Sequence, residues 1–229
     1  MAWLFDCIFP RSCVSCGAPA DLLCAACRER IRVLRPPSCT CCGAPTVWPV
    51  ARCRECAGRR IAFTTARAAV AYAGPTRALV RAWKERGLRR AAELAVSLVA
   101  EHLEAPAADV ITPIPPDPRR QLVRAAHPAS GLAQGLGERW SLPVEQLLVR
   151  TRRVPRQTGL PLAERQRNVR GAFAAAATAP GPLAPGPPRR VILVDDVYTT
   201  GATVSAAAAA LRAGGAEEVH VVTLARALR

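Results

Sequence analysis

The chain has 229 residues, room for one or two domains. It carries 32 basic against 17 acidic residues, a formal charge of +15, and Lys84 is its only lysine. Such a surface suits phosphates, nucleic acid or other anions and excludes a preference for cationic partners, although a genome biased towards Arg, Ala and Pro produces the same excess. No run of about 18 apolar residues occurs, so no membrane span is expected.

Residues 1–10 are apolar but short, lack a basic leader and contain Asp6. They read as a small docking helix rather than a signal peptide, which places the chain in the reducing cytoplasm. All ten cysteines lie between Cys7 and Cys56. In a reducing compartment clustered cysteines bind metal rather than form disulfides. They form four knuckles, Cys13-x2-Cys16, Cys24-x2-Cys27, Cys39-x2-Cys42 and Cys53-x2-Cys56. Each knuckle sets two thiolates on one tight turn, and four thiolates close a tetrahedral Zn²⁺ site. Pairing consecutive knuckles closes the shorter loops. The expected sites are therefore Cys13, Cys16, Cys24 and Cys27, then Cys39, Cys42, Cys53 and Cys56, with Cys41 as a competitor and Cys7 as a packed residue. With every position filled by protein, both zincs are structural. They hold together a segment too poor in apolar residues to fold alone. Such a ribbon docks nucleic acid or protein, or forms a rigid lid on its neighbour.

Residues 67–73 read as a strand, and Thr76 as the cap of a helix over 77–85 that Gly87 breaks. A second helix is expected over 89–103. Lys84, alone in a chain that otherwise uses Arg, is a candidate phosphate contact. Residues 109–114 read as the next strand. Pro115-Pro116-Asp117-Pro118 then forces an extended loop, and Arg119, Arg120 and Arg124 follow, placed either to grip a diphosphate or as a solvated basic turn. A helix over 128–138 and a short strand over 143–148 come next. The basic segment 150–170 is broken by Pro155, Gly159 and Pro161 and reads as a closing loop or a linker. Residues 174–188, of Ala, Pro, Gly, Thr and Leu, read as an exposed turn.

The chemistry concentrates at Val194-Asp195-Asp196-Val197-Tyr198-Thr199-Thr200-Gly201-Ala202-Thr203. Four apolar residues, 191–194, predict a buried strand with two carboxylates at its end, and 202–213 predict a helix stopped by Gly214-Gly215. Residues 218–224 predict the next strand, completing a βαβ unit. Ligands of open α/β sheets bind outside the carboxyl ends of strands, and a helix N-terminus accepts phosphate. Thr199, Thr200 and Thr203 add hydroxyls, and Gly201 allows close backbone approach. Asp195 and Asp196 suit a diol, or Mg²⁺ through water. Phosphate and diol together spell a sugar phosphate.

That run resembles the phosphoribosyl-diphosphate (PRPP) loop of type I phosphoribosyltransferases. The resemblance implies an α/β fold with a roughly five-stranded parallel sheet flanked by helices. It also implies that Asp195 and Asp196 hold the ribose hydroxyls while Thr199, Thr200, Gly201, Ala202 and Thr203 hold the 5′-phosphate. Over nearly its whole length the chain resembles the ComF family (competence protein F), a double zinc ribbon ahead of a phosphoribosyltransferase domain. The resemblance rests on the cysteine knuckles, on Lys84 with Gly87 and on Thr112-Pro113-Ile114-Pro115. It rests also on Gln157-Thr158-Gly159-Leu160, on Glu164-Arg165-Gln166-Arg167-Asn168-Val169-Arg170-Gly171-Ala172-Phe173 and on the PRPP-like loop. The expected units are 1–60 for the ribbons and 61–229 for the transferase-like part. Arg124, Arg165 and Asn168 join the ligand-binding set, and Lys84, Arg119 and Arg120 join Asp195 and Asp196 in the catalytic set. The resemblance implies Mg²⁺ with PRPP and a cytoplasmic role in DNA uptake, with single-stranded DNA and uptake proteins as partners. The alternatives are an active pentosyl transferase on an unknown nucleophile and a non-catalytic PRPP sensor. One segment departs from the family pattern: Arg124-Ala125-Ala126-His127-Pro128 keeps the Arg but replaces two amides, leaving His127 as either a substitute donor or a structural residue.

Overall fold

Val191, Ile192, Leu193 and Val194 have no exposed surface, as expected of a strand covered on both faces. The computed structural model describes residues 12–117, 127–151, 171–176 and 189–228. In chain order the elements are α1 (Ala25–Glu29), β1 (Thr65–Ala71), α2 (Gly74–Arg86), α3 (Arg89–His102), β2 (Val110–Pro113), α4 (Pro128–Trp140), β3 (Leu148–Arg150), β4 (Phe173–Ala175), β5 (Arg190–Tyr198), α5 (Ala202–Ala213) and β6 (Glu218–Arg226). Four strands make a sheet in the order β1-β6-β5-β2, with every pairing parallel.

Side chains alternate across β5 with the period of two that a strand imposes. Ile192 and Val194 pack into a core with Leu79, Val80, Trp83, Ala95, Val99, Leu132 and Leu136 of α2, α3 and α4. Val191 and Leu193 pack into a second core with Val204, Ala207, Ala208 and Leu211 of α5. The sheet thus has three helices on one face and one on the other. The cysteine ribbons divide in the same way. Cys13, Leu22, Leu23 and Cys27 join the three-helix core, whereas Cys39, Cys42, Ala44 and Cys56 join the core under α5. Between them the chain crosses the free edge of β1, where Val33 bridges Val70 in antiparallel sense and Leu34 N–H donates to Ala69 O at 2.9 Å. This covers an edge that otherwise exposes unpaired backbone.

Three expectations need correction. Thr76 does not cap α2. The helix begins three residues before Arg77, with Ala73 as its cap residue and Pro75 in its first turn, and Thr76 is buried. Proline's fixed φ and missing N–H suit that position. The strand expected over 143–148 shrinks to a single parallel bridge between Val144 and Ile111. Pro143 offers only its carbonyl, which accepts from Ile111 N–H at 2.9 Å, and Leu147 N–H is diverted to the Thr112 hydroxyl at 3.1 Å. The main sheet is therefore four-stranded, with the fifth position marked by that bridge. The chain continues into β3, which pairs antiparallel with β4. Ala174 and Ala175 thus belong to a strand rather than to the turn expected from residue 174. The helix of 202–213 and the stop at Gly214 agree with the expectation. The N-terminal docking helix, Cys7 and most of the 150–170 segment lie outside the described residues.

Candidate functional site: a carboxylate pair and loop backed by a cysteine ribbon

β5 outruns its neighbour. Pairing with β2 ends at Val194–Pro113, while pairing with β6 continues from Asp195–Thr223 to Tyr198–Arg226. The carboxylates therefore sit within the strand rather than after it, on a stretch that β2 leaves uncovered. Alternation sends Asp195 and Asp196 to opposite faces. Asp196 meets Lys84 Nζ in an ion pair, and both side chains are largely buried. Lys84 reaches it because Leu79, Val80 and Trp83 anchor α2 against the sheet. The left-handed Gly87 ends that helix, and its N–H donates to Trp83 O at 3.0 Å. Lys84, expected from the sequence as a phosphate contact, is here paired with Asp196. Asp195 accepts Asp196 N–H at 2.9 Å. Burial, and then the charge of Asp196, push its carboxyl up to about 8, against the pull of Lys84.

Beyond Tyr198 the loop turns at Gly201, φ +73°, which leads into α5. A Cβ there would lie 2.6 Å from Tyr198 Cζ, so the turn needs both glycine's left-handed freedom and its missing side chain. Thr199 is exposed and Thr203 half-exposed, while Thr200 and Ala202 are buried, and the Thr200 hydroxyl accepts Ala202 N–H at 3.3 Å. The loop therefore presents the exposed Thr199, the half-exposed Thr203 and the first turn of α5, whose N–H groups have no acceptor within the helix. This arrangement suits an anion with several oxygens. His127 acts as the cap of α4: its Nδ1 accepts Ser130 N–H at 3.3 Å and lies 2.9 Å from Ser130 Oγ. This is the structural role. Arg119, Arg120, Arg124, Arg165 and Asn168 lie outside the described residues.

Both cysteine groups assemble as their spacing dictates. Within each set, Cys13, Cys16, Cys24 and Cys27, and Cys39, Cys42, Cys53 and Cys56, the sulfurs lie within 4.8 Å of one another. A tetrahedral Zn–S bond of about 2.3 Å sets sulfurs about 3.8 Å apart. Cys16–Cys24 at 3.7 Å, Cys42–Cys53 at 3.6 Å and Cys39–Cys56 at 4.0 Å fit that edge. Cys41 belongs to neither set; its carbonyl accepts Ala66 N–H at 2.7 Å. Gly43, φ +68°, follows the Cys42 knuckle, and a Cβ there would press to 2.6 Å from Ala66 O, so this knuckle sits directly on β1.

Four residues to which sequence reasoning gave no role tie the second ribbon to the loop. Arg226 ends β6, is 1% exposed, and donates to Cys42 O and to Glu55 Oε2, each at 2.7 Å. Its guanidinium carbon lies 4.4 Å from the centre of the Tyr198 ring. Arg59 Nη2 donates to Thr200 O at 2.8 Å. The available signal was an arginine closing the mostly apolar strand segment 219–225; nothing in the sequence marked Glu55 or Arg59.

Residues 4–57 match the double zinc ribbon domain family, and residues 128–229 match the phosphoribosyl transferase domain family. The chain is thus a double zinc ribbon joined to a phosphoribosyl transferase domain. It is 34% identical over 146 residues to competence protein F of Haemophilus influenzae, covering 63% of this chain and 62% of that protein. The chain spans less than two thirds of that relative's length. Among solved structures it is similar to the glutamine PRPP amidotransferase of B. subtilis complexed with ADP and GMP (28% identity, 59% of this chain, 26% of that one, TM-score 0.40). It is similar too to the allosteric regulatory enzyme of purine biosynthesis (29% identity, 58% and 24%, TM-score 0.38). Among the described residues no helix is long and apolar enough to cross a membrane.

Proposed function

We propose that this chain binds Mg²⁺–PRPP at the turn between β5 and α5 and acts in cytoplasmic DNA uptake, as its kinship with competence protein F suggests. The observation that carries the binding reading is the juxtaposition of two aspartates, one paired with Lys84, with a left-handed glycine turn entering a helix N-terminus. Asp195 and Asp196 hold the two ribose hydroxyls, and the Thr199–Thr203 stretch holds the 5′-phosphate through hydroxyls and N–H groups. Lys84 exchanges part of its contact with Asp196 for the diphosphate. Arg119, Arg120 and Arg124, and Arg165 with Asn168, supply further contacts to the diphosphate side. Mg²⁺ bound with the ligand offsets the diphosphate charge.

Calorimetry tests this reading. Mg²⁺–PRPP gives saturable heat with wild type and none with Asp195→Ala/Asp196→Ala; absence of heat from folded wild type overturns it. The DNA role rests on the relative's name and on the +15 charge. Binding to single-stranded DNA through that charge weakens steeply from low to moderate salt. Salt-independent binding, or none, removes this part. Transfer of the ribosyl group is a second reading, favoured by the family match over 128–229. Its test is pyrophosphate release from PRPP in the presence of candidate nucleophiles.

A further inference from the structure

The second ribbon and the segment that follows it touch the loop at both ends. Tyr198, 3% exposed, precedes the loop, and its ring is held between Arg226 and Phe63, the latter edge-on at 6.3 Å between centroids. Gly201 lies against that same ring. Arg59 fixes the Thr200 carbonyl, and Ala62 N–H donates to Ser205 Oγ at 3.2 Å, just past the loop.

Arg226 is the centre of this contact. Its partners come from both knuckles of one metal site: Cys42 closes the first, and Glu55 lies between Cys53 and Cys56 in the second. Nη2 also lies 3.5 Å from Cys42 Sγ. Four thiolates around Zn²⁺ leave a net charge of about −2, which a guanidinium donor beside a ligand sulfur offsets. The metal sets how far apart the two knuckles stand. At the separation seen here Arg226 bonds both knuckles at once, with its guanidinium carbon 4.4 Å from the centre of the Tyr198 ring. A buried guanidinium that loses either partner must shift or open to water.

We propose that Arg226 is a positioning residue through which the second zinc site holds the 199–203 loop in the shape that accepts a sugar phosphate; the ligand named in this statement rests on the reading given above. The first ribbon, packed on the three-helix face, has no such link among the described residues.

The test is amide hydrogen exchange on the zinc-loaded chain. Arg226→Lys keeps the charge but cannot donate to Cys42 and Glu55 in a fork, and Glu55→Gln is a milder change in case the first variant folds poorly. Both are expected to raise exchange across 199–205 about tenfold, with α3 and β2 unchanged. In the first ribbon, Cys16→Ser leaves that loop within about twofold of wild type. Equal loop exchange in all four proteins, or an equal rise with Cys16→Ser, overturns the proposal. A loss of protection spread over the whole sheet also overturns it, since that is the mark of a merely structural arginine. A chelator assay gives a second readout: Mg²⁺–PRPP slows release of one zinc of the two in wild type, and not in Arg226→Lys. Calorimetry on the same wild-type sample separates the two ideas. No heat with PRPP but altered loop exchange sinks the ligand and keeps the coupling; heat with unaltered loop exchange does the reverse.

Discussion

The two cysteine ribbons have the same ligands and similar spacing, yet they lie in different surroundings. In the first, Cys16 is exposed, and the ribbon reaches the α2–α3 corner through an exposed ion pair between Asp21 and Arg90. In the second, Cys39 and Cys56 have no exposed surface, and a buried arginine from the last strand is bonded to the metal site. Both ribbons pack against the sheet, but only the second is also bonded to the turn between β5 and α5 among the described residues. The difference shows that a zinc ribbon's role is set less by its ligands than by which buried group of its neighbour it must satisfy.

Breaking the second site therefore costs most. Cys56→Ser is expected to lose one zinc by metal analysis and to lower the melting temperature by more than about 10 °C, because structural zinc supplies folding free energy outright. Cys16→Ser loses a zinc too, with a smaller shift. Equal shifts would erase the contrast. Next in size is Arg226→Met. It leaves Glu55 without its partner and removes a bond to Cys42, for a loss of about 2–3 kcal/mol in urea unfolding. The value lies below that of a fully buried pair because Glu55 keeps 26% exposure.

The carboxylate pair gives a pH-dependent test. Asp195 holds its proton to about 8 in the folded chain against 3.8 ordinarily. The folded state thus binds the extra proton between those values, and stability falls as pH rises from about 4 to about 8. Asp195→Asn removes that penalty. Thermal unfolding of the ligand-free protein is expected to show the variant melting above wild type at pH 8 and at nearly the same temperature at pH 4. The reverse order would mean that Asp195 is stabilised as a carboxylate. The smallest effect belongs to the first ribbon's surface: Arg90→Ala changes stability by less than about 1 kcal/mol, since its pair with Asp21 is half-exposed on both sides.

Much of this was legible in the sequence. The cysteine spacing specified both sulfur sets, because a metal needs four thiolates and loop closure favours neighbours. The α5 helix and its stop were plain from alanine followed by Gly214-Gly215. The carboxylates were visible as a pair, and Lys84 stood out by being the sole lysine. What stayed hidden was long-range. The end of β2 at Pro113 leaves the Asp195–Tyr198 stretch of β5 without a partner strand on that side, and no local pattern marks it. Arg226 looked like one more arginine in a chain full of them, and only the fold brings it to Cys42, Glu55 and Tyr198. Thr76 misled because its capping chemistry is local, whereas Pro75 and the packing against the sheet start the helix earlier.

Footprinting amide exchange with and without Mg²⁺–PRPP tests whether the β5–α5 turn is a PRPP site. Protection is expected over 195–205 and around Lys84, absent with Mg²⁺ alone and absent in Asp195→Ala/Asp196→Ala. Unchanged exchange at that turn under saturating ligand, or protection confined to another part of the chain, would contradict it.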